Sequence, residues 1–355
     1  LEIYKKIKRN FMLKNIKISN YRGIKNIQIN DFSNVNIFVG KANTGKTSIL
    51  EAIFILLNQT PVSAQLISDF RRMIANSDIF DSMFHDYDTD AILSFSGNID
   101  DKHTSLEIKK ANQKIISYID QGGQNIIAEN IKRLEFSLKN SNKEFNKQFL
   151  EIQHQKEQGL ISFNIQADSR IQNNNVDFIA NFDSIKFKNN LNTINNNVEM
   201  YEKFEKYFKE FDQKIIKITF GLNDEINIGI KGLKHSVSFK TMGKGFQSYI
   251  NIITSMICGN KTIIIDEIEN GIHFEIIETL IKNIFHISKT KNLQFFITTH
   301  SKELLENISK IAKNTNFKNC NIYNIFENKD KQIETVKYDI NSFISSIETQ
   351  SEIRD

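Results

Sequence analysis

An α/β fold is predicted by three strand-to-loop transitions spread along the 355 residues of this chain. The first is Val35–Val39, a β-branched apolar run that enters Gly40-Lys-Ala-Asn-Thr-Gly-Lys-Thr47 and then an apolar helix from Ser48 to Leu57. The second is Thr262–Ile265, too short for a helix and β-branched throughout, which ends in Asp266-Glu267. The third is Leu293–Thr298, which ends in Thr299-His300-Ser301. In an open α/β sheet, residues at strand C-termini point into the ligand crevice.

Taken in chain order, Leu1–Phe11 is Lys-rich and has no apolar stretch of the kind a signal peptide needs. The regular pattern begins at Met12, so residues 1–11 are expected to be a disordered extension before a natural start. Leu13–Ile18 and Tyr21–Ile29 read as strands of a β-rich N-terminal lobe. The octet from Gly40 to Thr47 is a G-x-x-x-x-G-K-[ST] loop between a strand and a helix, the context that makes the pattern a phosphate site. Gly40 and Gly45 permit a backbone curl that aims the N–H groups of Ala42, Asn43, Thr44 and their neighbours through Ser48 at phosphate oxygens. Lys46 reaches the β- and γ-phosphates, and the Thr47 hydroxyl is placed for Mg²⁺, which keeps most of its waters.

Pro61 lies just past that helix. Ala91–Phe95, Leu106–Lys109 and Ile115–Ile119 continue the β-rich lobe. From Gln121 to Gln213 the pattern loosens and turns Asn- and Lys-rich, with a strand at Ile161–Gln166 and a loop at Asn189–Asn197, since asparagine clusters favour turns. Val198–Phe211 is the clearest helix there, with Tyr201, Phe204, Phe208 and Phe211 on one face. Ile215–Phe220 and Ile226–Ile230 read as a hairpin around Asn223-Asp224. The next helix carries Phe246, Tyr249, Ile250, Ile253 and Ile257 on one face. After the second strand, Asp266 suits the Mg²⁺ shell and Glu267 suits the base for an attacking water, although acidic residues also open helices well. His300, structural if alone, becomes a γ-phosphate sensor in this order of motifs. The tail reads as a helix over Lys302–Ala312, a hairpin around Asn328-Lys-Asp330, and a short last helix.

These stretches, together with Ile18–Ile24, Phe84–Asp88, Thr241–Gly245 and Ile265–His273, resemble ABC-type ATPases of the SMC, RecF and OLD (overcoming lysogenisation defect) group. The likeness is greatest to OLD-like chains that consist of the ATPase module alone, and the Glu-Asn-Gly-Ile-His run ending at His273 discriminates best. Glu-Ile-Arg before Asp355 also resembles the family's ending and suggests an intact C-terminus. The resemblance implies a P-loop NTPase fold: a single ABC-type nucleotide-binding domain over 12–355, with a β-rich N-terminal lobe and a mixed α/β lobe inserted at about 98–213. It implies ATP and Mg²⁺ as ligands, with Lys46 and Thr47 in Walker A, Asp266 as the Walker B aspartate, Glu267 as catalytic glutamate and His300 as switch histidine. Asn270–His273 falls on the D-loop. Met242–Gly245 falls on the signature motif, which binds the γ-phosphate of the opposite subunit. Gly243 replaces the usual signature serine, and Lys244 either adds charge in trans or is solvated. Gly245 is expected to be glycine because backbone must approach a phosphate. Arg22 resembles a basic residue near the nucleotide. The Q-loop glutamine has three candidates: Gln59, Gln65 and the Phe84–Asp88 segment.

The implied mechanism is ATP-dependent pairing of subunits into a homodimer or higher homo-oligomer and in-line attack by water, with a separate effector such as a nuclease or toxin in antiphage defence or DNA metabolism. Only about fifty residues follow His300, far below the size of an appended TOPRIM nuclease domain. The alternatives are a RecF-like ATPase that binds duplex DNA directly, and a nucleotide-dependent scaffold with little turnover, which the intact Asp266 and Glu267 oppose. A GTPase is disfavoured because Asn328-Lys-Asp-Lys331 lacks the fourth-position aspartate of the base-reading motif. The gap between Thr47 and Met242 is too short for an SMC coiled coil and has no heptads. Composition agrees: 40% hydrophobic and 25% charged residues suit a globular chain with a sizeable core. A net charge of +4 has no dense Lys/Arg block. Cys258 and Cys320 give no disulfide framework and read as reduced cytosolic thiols. No apolar run is long enough to span a membrane, so the expected location is cytoplasmic.

Overall fold

A computed structural model of the chain describes residues 12–71, 80–111, 117–119, 125–127, 132–141, 143–155, 160–171, 175–180, 183–221 and 225–349. The expected extension 1–11, the turn at Asn223-Asp224 and the Glu-Ile-Arg ending lie outside these residues. The chain divides into two compact units, residues 1–31, 47–174 and 327–335 in the first and 32–46, 175–326 and 336–355 in the second.

The first unit carries an antiparallel sheet. Its strand order is Leu160–Gln166, Gln148–Gln155, Lys132–Asn140, Lys102–Ala111, Leu93–Ile99, Ile16–Tyr21 and Ile24–Ile29, with Lys143–Glu144 paired beside Lys132–Asn140. One buried face produces the alternation, as in Leu93–Ile99, where every second residue is buried. The loosened region of the sequence hides three of these strands, Lys132–Asn140, Lys143–Glu144 and Gln148–Gln155. In Lys132–Asn140 the buried Leu134, Phe136 and Leu138 alternate with the polar Arg133, Glu135, Ser137 and Lys139, a period-two signal masked by the surrounding Asn and Lys. Pro61 opens the Pro61–Phe70 helix at its first turn, where the missing N–H costs nothing.

The second unit is built on a seven-stranded sheet in the order Asp183–Ser184, Val176–Ala180, Thr262–Ile265, Gln294–Thr298, Val35–Val39, Cys320–Glu327 and Ile333–Asp339. The five from Val176–Ala180 to Cys320–Glu327 pair in parallel. Four of them are buried at every position, which is why they read as continuous apolar runs without alternation. Val176–Ala180 is a strand missed at the sequence level, and with it the stretch 175–213, expected to be part of one inserted lobe, belongs to this unit.

The expected loop at Asn189–Asn197 is instead largely helix, Phe187–Asn195. Phe187, Leu191 and Ile194 are buried at helical spacing, and packing of that stripe overrides the turn preference of asparagine. Asn190 is itself buried and donates to the Asp177 carboxylate at 3.2 Å. Asn197 then serves as N-cap of the Val198–Phe211 helix, its side chain accepting from the Met200 N–H at 3.0 Å. Phe204 and Phe208 of that helix are fully buried, and Phe211 lies 5.1 Å from the ring of Phe246, so the aromatic stripe is core packing. The strands Ile215–Phe220 and Ile226–Ile230 are antiparallel as expected. The Lys244–Ile257 helix buries nearly its whole length after Lys244.

Candidate functional site

Register places the chemistry at one edge of the second unit's sheet. Ile265 pairs with Ile179 and Ile297, and Thr298 pairs with Phe38. The C-terminal ends of these strands are therefore level, and the chain leaves them as Asp266-Glu267, Thr299-His300 and the glycine loop.

The loop has the backbone that its glycines predict. Gly40, Asn43 and Gly45 have φ of 141°, 62° and 85°. Gly40 is required by packing as well, since a Cβ there would lie 2.0 Å from the carbonyl oxygen of Ile325. Lys41, Ala42 and Asn43 are exposed, whereas Thr44, Lys46 and Ser48 are buried. The Lys46 ammonium folds back on its own loop and donates to the carbonyl oxygens of Lys41 at 2.6 Å and Gly40 at 3.0 Å, and to Thr44 Oγ1 at 3.3 Å. Burial pushes Lys46 down to about 8 from 10.5, opposed by the negative charges of Asp266, Glu267 and Glu269. A phosphate would replace these carbonyl contacts with a full counter-charge.

Thr298 joins the two acidic residues. Its hydroxyl donates to Asp266 Oδ1 at 2.6 Å and accepts the Glu267 backbone N–H at 2.7 Å. Glu267 is left-handed, with φ of 52°, a strained conformation for a non-glycine residue. Its carboxylate accepts from Asn270 Nδ2 at 2.7 Å and lies 3.6 Å from His300 Nε2. Glu269 Oε1 accepts the backbone N–H groups of His300 at 2.6 Å and Ser301 at 3.1 Å, so the Walker B turn and the histidine turn are tied together. Sequence reasoning missed Thr298, gave Glu269 no role beyond its place in the Glu-Asn-Gly-Ile-His run, and placed Asn270 only at the start of the D-loop. Their signal was position alone, one or a few residues from Asp266, Glu267 and His300.

The segment expected to be the signature divides in two. Gly243 and Lys244 are exposed at the N-terminus of a 14-residue helix, and no atom lies within 4 Å of a Cβ built on Gly243. Gly245 is buried, and a Cβ on it would lie 1.9 Å from the carbonyl oxygen of Gly271. A reason for glycine at 245 therefore lies within the same chain, beside the expected close approach to a phosphate.

Other candidates fall in the first unit. Arg22 has φ of 49° and a side chain 11% exposed, and its Nε lies 2.9 Å from Glu51 Oε2. Glu51 also accepts the Tyr21 hydroxyl at 2.9 Å and pairs with Arg71. The Phe84–Asp88 segment joins this cluster through His85 Nδ1, 2.8 Å from the Arg22 carbonyl oxygen. Gln59 is buried and left-handed between two helices, and Gln65 is partly exposed.

Among the described residues no group of three or more His, Cys, Asp or Glu side chains converges to hold an ion. A single carboxylate, Asp266, with one hydroxyl is a set that Mg²⁺ accepts, because it retains waters and uses substrate oxygens.

A family model described as "AAA domain, putative AbiEii toxin, Type IV TA system" matches residues 35–306. The chain is 28% identical over 358 aligned residues to an ATP/GTP phosphatase of Helicobacter pylori (strain ATCC 700392 / 26695), covering 86% of this chain and 90% of the relative. A short stretch of 47 residues, 13% of this chain and 22% of the relative, is 40% identical to an uncharacterised protein, MJECL10, of Methanocaldococcus jannaschii. A crystal structure of an Smc head bound to the C-winged helix domain of ScpA superposes with a TM-score of 0.51 and 11% identity, covering 94% of this chain and 99% of that one. That likeness shows the fold alone, that of an Smc head.

Proposed function

The chain is an ATPase of the AAA-domain family that its residues 35–306 match, and we propose that it hydrolyses Mg²⁺-ATP between Lys46 and the Asp266–Glu267 pair. The observation that carries this is the meeting of Lys46, Asp266, Glu267 and His300 at level strand ends, with Lys46 inside the field of both acids. Lys46 and the loop amides bind the β- and γ-phosphates. Asp266, with the motif's Thr47 hydroxyl, would hold Mg²⁺, which supplies charge neutralisation on the phosphate oxygens. Glu267 orients the attacking water and takes its proton, and His300 faces the γ-phosphate from the neighbouring strand end. Arg22, which resembles a basic residue near the nucleotide in this group, is a further candidate for contact with ATP.

The finer reading is an OLD-like ABC ATPase whose site is completed by a second copy. Support comes from the exposed helix N-terminus at Gly243–Lys244, which presents the positive end of the dipole and a lysine side chain toward a phosphate held elsewhere. Hydrolysis then releases the pair and drives a separate cytoplasmic effector, a nuclease or toxin, in antiphage defence or DNA metabolism. The family description, which names a toxin of a type IV system, supports that direction. A RecF-like protein that binds duplex DNA has less support. Net charge is only +4, and lysines of the first unit are paired, Lys132 with Asp81 and Lys147 with Glu135. Among the described residues no helix is long and apolar enough to cross a membrane.

Phosphate release tests the reading. ATP is expected to be hydrolysed only with Mg²⁺ present and in preference to GTP, although the Helicobacter pylori relative is named for both. Turnover that persists in excess EDTA, or none from ATP, contradicts it.

A further inference from the structure

We infer that Thr298 is a positioning residue for hydrolysis, one hydroxyl that sets both the Asp266 carboxylate and the backbone of Glu267. This rests on the reading above that Glu267 activates the water. The hydroxyl proton is committed to Asp266 Oδ1 at 2.6 Å, and its oxygen accepts the Glu267 N–H at 2.7 Å. A hydroxyl has one proton and two lone pairs, so a single group can hold both neighbours in these roles, which neither a methyl nor an ammonium can. Both bonds are charge-assisted or backbone bonds in a buried setting, since Thr298 is 1% exposed.

The consequence for Glu267 follows from its backbone. A φ of 52° is costly for glutamate and persists only where neighbours hold it. Two bonds from the adjacent strand end do so. Thr298 takes the Glu267 N–H, and the Thr298 carbonyl oxygen accepts the N–H of Ile268 at 3.2 Å. The side chain of Glu267 is thereby turned toward His300. The bond to Asp266 also restricts rotation of that carboxylate, which would hold Mg²⁺.

The test compares Thr298→Val, which removes the hydroxyl and keeps the shape, with Thr298→Ser, which keeps the hydroxyl and removes the methyl. Steady-state kcat and KM are measured, with affinity for a non-hydrolysable ATP analogue as the check of folding. Thr298→Val is expected to lower kcat by about 10- to 100-fold with analogue affinity within about three-fold, and Thr298→Ser to stay within about three-fold of wild type in kcat. Should the Val variant fail to bind the analogue, Thr298→Ala carries the same comparison. Wild-type kcat in the variant without the hydroxyl overturns the inference. So does a Ser variant as slow as the Val variant, which would assign the effect to methyl packing. Glu267→Gln measured in parallel separates the two levels. If it turns over normally, the reading of Glu267 fails and the inference with it; if it is inactive while Thr298→Val is normal, only the inference fails.

Discussion

The backbone of Gly245 packs against Gly271 so closely that a Cβ on the former would lie 1.9 Å from the carbonyl oxygen of the latter. The helix that begins at Lys244 is thus seated on the turn that follows Glu267 within one chain. Gly245→Ala is expected to destabilise the protein by about 1–3 kcal/mol, because backbone must give way. Gly243→Ala, with open space around it, should leave the melting temperature nearly unchanged. Equal melting temperatures for the two variants would contradict the packing.

Lys46→Ala is expected to weaken binding of a non-hydrolysable ATP analogue at least about ten-fold, since it removes the main charge on the β- and γ-phosphates. Calorimetry measures this directly. Affinity equal to wild type would show that the glycine loop binds no triphosphate.

The shared-site reading needs a variant that leaves its own chain intact, and Gly243 is the better position than Gly245. Gly243→Trp is expected to melt like wild type yet to be inactive alone. Mixed with Lys46→Ala, it should regain part of the turnover, because one of the two sites in each mixed dimer collects both defects and the other is intact. If both sites must fill before either fires, mixing restores nothing. Light scattering of Glu267→Gln with ATP covers that case, and a monomeric mass with and without ATP sinks the shared site.

Asp177, fully buried on the strand beside Thr262–Ile265, has its carboxyl raised by burial, offset in part by donors from Ser255, Ser184 and the Lys186 N–H. For an acid whose folded value lies above its unfolded one, the folded state binds the proton more tightly. The stability it contributes therefore grows as pH falls and is lost as pH rises through the window above 3.8. The melting temperature of wild type relative to Asp177→Asn should accordingly increase as pH is lowered from about 7 toward about 4.5. A difference independent of pH would show that Asp177 does not titrate in this range.

Legibility in the sequence followed burial pattern. Val35–Val39, Thr262–Ile265 and Gln294–Thr298 were visible because strands buried on both faces are unbroken apolar runs, and their flanking motifs named the ends. Val176–Ala180 has the same character but sits in an Asn-rich stretch and carries Asp177, whose charge breaks the run until its donors are known. Phe187–Asn195 was hidden for the opposite reason: its asparagines argue for a turn, while three buried apolar side chains decide for a helix. In the site, residue types with one habitual role, Lys46 in a glycine loop or Asp266 at a strand end, were readable. Thr298 and Glu269 were not, because a threonine or glutamate acquires its part only from the distances of 2.6 and 2.7 Å that the fold creates.

Single-turnover hydrolysis with Glu267→Gln shows whether Glu267 activates the attacking water at the Lys46 site. The carboxamide keeps the shape of the side chain and cannot take a proton. The expected result is retained affinity for ATP with hydrolysis slowed by about 100-fold or more, so that intact ATP is recovered with the protein. ATP converted to ADP at the wild-type rate would contradict the account.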